Sequence, residues 1–251
     1  MKRSALSIVL AATLVVAGTD PEGVSLSDLA DELEQAIQDK DASRISNVAE
    51  RVEGAVSADE QGEAADQLAV QLSKAAKVAK RDLDALEFVL EALGHLRSRK
   101  GAPTLKRFAF RKDAKDERAA DLQALALVAL GRMADSRQLR GIEDQTKNRN
   151  MTVAKGAYTS LVGYASANGK TRKRVAEILM KGLLNEYPRY SPSNGKYVSD
   201  EKRKRWSKLS GSIVRSLQAV CRQPTITSVD DWEQWWRENK RKTKSWRDER
   251  D

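Results

Sequence analysis

A single histidine and a single cysteine limit the chemistry this 251-residue chain can carry out. His95 would have to serve as base to any serine or cysteine nucleophile, and no nucleophile elbow or companion motif accompanies it. A zinc site draws on several His or Cys ligands, whereas His95 and Cys221 stand 126 positions apart. Asn168-Gly169-Lys170-Thr171 contains the Gly-Lys-Thr of a phosphate loop but lacks the earlier glycine and the leading strand. The carboxylate pairs Asp82 with Asp84 and Asp230 with Asp231 suit the positive amino-terminal ends of helices. No catalytic, cofactor-binding or metal-ligating residue is therefore assigned, and no cofactor is expected. An enzyme working through carboxylates alone is the weakest of the functional expectations.

Residues that could bind rather than react gather toward the carboxyl end. Basic runs occur at Lys170 to Arg174, at Lys202-Arg203-Lys204-Arg205 and at Lys240-Arg241-Lys242 with Lys244. All five tryptophans lie at Trp206 or beyond. Trp232, Trp235 and Trp236, spaced i, i+3 and i+4, fall on one helical face. Buried, each could cover about 150–250 Å² and close a stack of helices; exposed, they would form a platform for sugars, peptides or bases. Confinement to one face favours the cap. Trp246 stands apart in a charged tail and is the better candidate for contact, together with Lys202, Arg203, Lys204 and Arg205.

The amino terminus speaks to location. Met1-Lys2-Arg3 is basic, and Ala5 to Gly18 is apolar or small apart from Ser7 and Thr13. Such a start reads as a secretory signal peptide over residues 1–18, shorter than the roughly 20 apolar residues a spanning helix needs. Its removal leaves a 233-residue chain of charge +7, down from +9, with no transmembrane span. A periplasmic or secreted protein is expected. One cysteine allows no internal disulfide, so stability must come from helix packing. Cys221 falls on an apolar helix face and is expected to be buried. Export disfavours nucleic acid as a partner and leaves anionic polymers or lipid headgroups as ligands for a basic face.

The elements that must position these residues are helical. Leu26, Leu29, Leu33 and Ile37 make one stripe, opened by Ser25 with Asp28 in a capping-box pattern. Ile45, Val48, Val52 and Val56 make a second, and Leu68, Leu72 and Ala75 a third. Leu86 to Leu96 is denser and reads as a well-buried helix.

Internal similarity begins at residue 83. Ala92-Leu93-Gly94 and Ala129-Leu130-Gly131 each end an apolar helix, pass through a polar turn and restart an apolar pattern. A weaker copy runs Ser160-Leu161-Val162-Gly163. The glycines lie 37 and 32 residues apart, a period typical of stacked helical pairs. These segments resemble HEAT repeats, with the turn Ala134-Asp135-Ser136-Arg137 as the best match. The resemblance implies an all-α, α-solenoid fold in which Gly94, Gly131 and Gly163 mark repeat turns and Asp135 and Arg137 brace adjacent repeats. Trp-x-x-Trp-Trp resembles the closing helix of exported bacterial HEAT-repeat proteins and implies a terminal cap.

The expected organisation is a signal peptide at 1–18, amino-terminal helices at 19–82 and repeats at 83–184. A Pro- and Tyr-rich loop follows at 185–199, a last repeat and Trp cap at 200–240, and a charged tail at 241–251. The expected function is a non-catalytic extracytoplasmic scaffold for protein–protein interaction. The alternative is a binding module for an anionic polymer or membrane surface through the basic, Trp-bearing end.

Overall fold

The computed structural model describes residues 24–56, 62–112, 114, 116–188, 199–242 and 246–247. The proposed signal segment, residues 189–198 of the loop and most of the tail lie outside these.

Every regular element among the described residues is helical, as the periodicity predicts. The α-helices are α1 (Leu26–Asp39), α2 (Ala42–Ala55), α3 (Glu63–Val78), α4 (Leu83–Leu96), α5 (Ala102–Ala109) and α6 (Glu117–Arg132). They continue with α7 (Leu139–Thr146), α8 (Met151–Ser160), α9 (Gly169–Glu186), α10 (Asp200–Cys221) and α11 (Val229–Asn239). Short 3₁₀ segments lie at Ala79–Arg81, Ser136–Gln138 and Leu161–Ser166.

Most helix starts are written in the sequence. Ser25 and Asp28 form the expected capping box of α1. Asp41, Asp82, Asp116, Asn150, Asn168, Ser199 and Ser228 each accept a backbone N–H of the first turn of the following helix. Asp82 is thus a cap by its side chain, beyond the dipole role its charge suggests.

The helices pack in a regular order. α1 lies against α2 and α3. α2 packs on α4, α4 on α6, α6 on α8 and α8 on α10, so each second helix lies directly on the one before. α5 rests on α6, α7 on α8, α9 on α10 and α11 on α9. The apolar stripes meet in one continuous core that runs from Leu26 to Trp246. Leu29, Leu33, Ile45, Leu68 and Leu72 are fully enclosed, and so are Leu90, Leu127, Leu179 and Leu217. Among the described residues, no helix is long and apolar enough to cross a membrane.

Candidate binding surfaces

Gly94, Gly131 and Gly163 are not turn residues. α4 continues two residues past Gly94 and α6 one residue past Gly131, while Gly163 lies inside the 3₁₀ segment. His95 therefore belongs to the last turn of α4, not to the loop after it. What these glycines provide is close approach. A Cβ on Gly94 would stand 2.7 Å from the Cβ of Ala129 on α6. One on Gly131 would collide with the Ser160 carbonyl oxygen, and one on Gly163 with the Gly131 carbonyl oxygen. The three copies are alike because each brings a backbone close against a neighbouring unit, Gly94 and Gly131 against the following one and Gly163 against the preceding one.

The Asp135–Arg137 pair closes its own turn and does not reach a neighbour. The Asp135 carboxylate accepts from the Arg137 backbone N–H at 3.0 Å, from its Nε at 3.0 Å and from its Nη2 at 2.7 Å. These bonds, led by the guanidinium, hold the carboxyl far below the usual carboxylate range. The link to the next unit comes instead from Tyr164, whose hydroxyl donates to the Asp135 backbone oxygen at 2.9 Å. Burial pushes the Tyr164 hydroxyl pKa up, which keeps it protonated as that donor.

Four of the five tryptophans form one cluster, and Trp246 belongs to it, whereas Trp206 on α10 meets Tyr187 edge to face at 5.2 Å. Trp232 is fully buried, while Trp235 and Trp236 are half-buried. The rings meet edge to face, Trp232 with Trp235 at 5.7 Å and Trp246 with Trp235 and Trp236 at 5.9 and 6.1 Å. Trp246 is only 7% exposed, and its Nε1 donates to the Asn239 backbone oxygen at 3.2 Å. The expectation that Trp246 stands outside as a contact residue is therefore corrected. It packs against Trp235 and Trp236 of α11.

Arg172 holds Trp246 and Arg247 in place. It is 1% exposed in the first turns of α9, and its Nη2 donates to the backbone oxygens of Trp246 and Arg247 at 3.4 and 3.3 Å. Its Nη1 reaches the Val220 oxygen at the end of α10, at 3.5 Å. Beside it, the Trp246 carbonyl occupies the space a Cβ of Gly169 would take. The Lys170 to Arg174 run thus contains one structural cation, concealed among solvent-facing ones.

The tetrad at the start of α10 divides in the same way. Arg205 turns inward, pairing with Glu186 at 2.9 Å and donating to the Asn148 oxygen at 2.9 Å, so it fastens α10 to α9 and to the turn before α8. Arg203 pairs with Asp200 on its own helix. Lys202 and Lys204 face solvent, joined further along by Lys208 and Arg215.

The other chemistry-bearing side chains among the described residues have local partners. His95 is largely enclosed, 3.5 Å from Glu53, and its pKa is lowered by burial and by Arg132. Cys221 is buried as expected. A cleft of about 440 Å³ between α1 and α3 is lined by Asp31, Glu34, Glu63 and Asp66, but Gln71 donates to Glu34 and Ser98 to Asp66. No group of three or more His, Cys, Asp or Glu among the described residues could hold a metal ion.

No protein-family model, curated protein or solved structure matched the chain.

Sequence reasoning missed Arg172, Tyr164 and the inward turn of Arg205. Only position signals them. Arg172 falls three residues before Val175 and six before Ile178, on the apolar face of α9.

Proposed function

We propose that this chain is a non-catalytic, extracytoplasmic scaffold of the α-solenoid kind, presenting a helical-repeat surface to a partner protein. The supporting observation is the succession α2, α4, α6, α8, α10, each packed on the last, whose solvent-facing side chains change character along the way. Glu50 and Glu53 face solvent on α2, Asp121 with half-exposed Leu125 and Val128 on α6, Lys155 on α8, and Lys204, Lys208 and Arg215 on α10. A surface drawn from many helices, with charge graded along it, suits recognition of another macromolecule and selects orientation. In this reading the Trp232–Trp235–Trp236–Trp246 cluster is the cap of the array, because a terminal unit must cover the apolar side its missing neighbour would bury.

The test is affinity capture of the tagged, processed chain from an envelope fraction after crosslinking. Recovery of a discrete partner that is lost when Leu125 and Val128 are replaced by Asp supports the reading. Recovery of the chain alone in every condition overturns it.

A further inference from the structure

Gly211 lies mid-way along α10 on its exposed side, and no described atom would meet a Cβ built there. Gly94, Gly131 and Gly163 lack side chains because a neighbour stands in the way. Gly211 has no such reason among the described residues, yet glycine weakens a helix interior relative to alanine. What the position permits is close approach of another backbone.

The surroundings of Gly211 are basic. Lys204, Lys208 and Arg215 are exposed and, at 3.6 residues per turn, share one narrow arc of α10 with Gly211. The Arg215 Nε donates to the Gly211 oxygen at 3.1 Å, which lays the guanidinium along the helix. Neither Lys204 nor Lys208 is in an ion pair among the described residues.

The complement lies at the other end of the same chain. Residues 24–69 carry 12 acidic and 3 basic side chains, whereas residues 70–251 carry 40 basic and 22 acidic ones. α2 opens the succession of helices that α10 closes. It exposes Asn47, Glu50, Glu53 and Gly54, and Gly54 likewise has no described atom against it.

We propose that the exposed face of α10 binds the α2 end of a second copy, so that copies join head to tail and continue the succession of helices. The two faces differ, so the contact is heterologous and leaves each pair with a free α2 end and a free α10 face. A linear polyanion would account for the lysines but not for Gly211, since phosphates reach cations without touching a helix backbone. A helix packed at Gly211 accounts for both.

Sedimentation velocity on the processed chain tests this. At low salt the average mass is expected to rise with concentration, and at high salt to fall to that of the monomer, because exposed charges are screened within about 3 Å at 1 M. Lys204→Ala/Lys208→Ala/Arg215→Ala and Glu50→Gln/Glu53→Gln should each be monomeric. Each keeps one face intact, so their equimolar mixture should form a dimer and nothing larger. Gly211→Leu should weaken association about tenfold or more by blocking close approach. A wild-type chain that stays monomeric at every salt and concentration overturns the proposal. So does association unchanged by both charge variants, or retention on polyphosphate resin through α10 without self-association.

Discussion

Gly131 and Gly163 meet with no side chain between them, the Gly131 carbonyl oxygen filling the place of the Gly163 Cβ. Gly131→Ala and Gly163→Ala should therefore each lower stability by about 1–3 kcal/mol, since the obstacle is backbone and cannot swing aside. The double variant should lose less than the two losses added, because both methyl groups push the end of α6 away from the neighbouring Ser160–Gly163 backbone, one against the Ser160 carbonyl and the other against that of Gly131. Urea unfolding followed by circular dichroism measures all three. Gly211→Ala in the same assay should raise stability by about 0.5–1 kcal/mol.

Arg172 ties α9 to the backbone of Trp246 and Arg247, so Arg172→Met should free both residues. Hydrogen bonds from a charged donor contribute about 1.5–3 kcal/mol, and the loss falls on one end of the molecule. The expected signs are a red shift of tryptophan emission and faster tryptic cleavage after Lys242. Arg215→Met, which removes a cation from the exposed face, should change neither. Equal behaviour of the two variants would show that the buried position of Arg172 carries no special tie.

His95 makes stability depend on mild acid. Its folded pKa lies below 6.5, chiefly because burial penalises the charged imidazole. The unfolded chain then binds more protons, so stability is complete above about pH 6.5 and declines as pH falls toward the lowered folded value. Asp135 acts in a separate window: its carboxyl is held down by Arg137, so its contribution is present above pH 3.8 and is lost only in stronger acid. Melting curves from pH 7.5 to 5 should slope less in His95→Gln than in the wild type. An identical slope would remove His95 as the source.

Cys221 should be chemically silent in the folded protein. Burial pushes its thiol up to about 12, so the thiolate is a minor species near pH 8, on the order of one part in ten thousand. Iodoacetamide should label it at the rate of unfolding, and labelling in 6 M guanidinium should be complete within minutes. Rapid labelling of the native chain would contradict the packing at the end of α10.

The helices were readable because period and caps agree: Ser25 with Asp28 announced α1, and Leu86 to Leu96 announced a buried α4. The glycine spacing was readable too, although its meaning was not, since a glycine at a close approach and one at a turn look the same in a sequence. The site was harder. Within Lys202 to Arg205 nothing distinguishes the arginine that grips Glu186 from the lysines that face water, because the partner lies 19 residues away. Trp246 misled for a similar reason. Its charged neighbours suggest solvent, yet its carbonyl is held by Arg172, at a separation of 74 residues.

That last separation orders events during synthesis. The amino-terminal helices close mostly on neighbours made just before them, so they can acquire their structure as the chain emerges. The guanidinium of Arg172 is different: once α9 is made, it waits through α10 and α11 for the carbonyls of Trp246 and Arg247. The carboxyl end is therefore the last part to be secured, and a stalled or shortened chain would leave that buried cation without the Trp246 and Arg247 carbonyls.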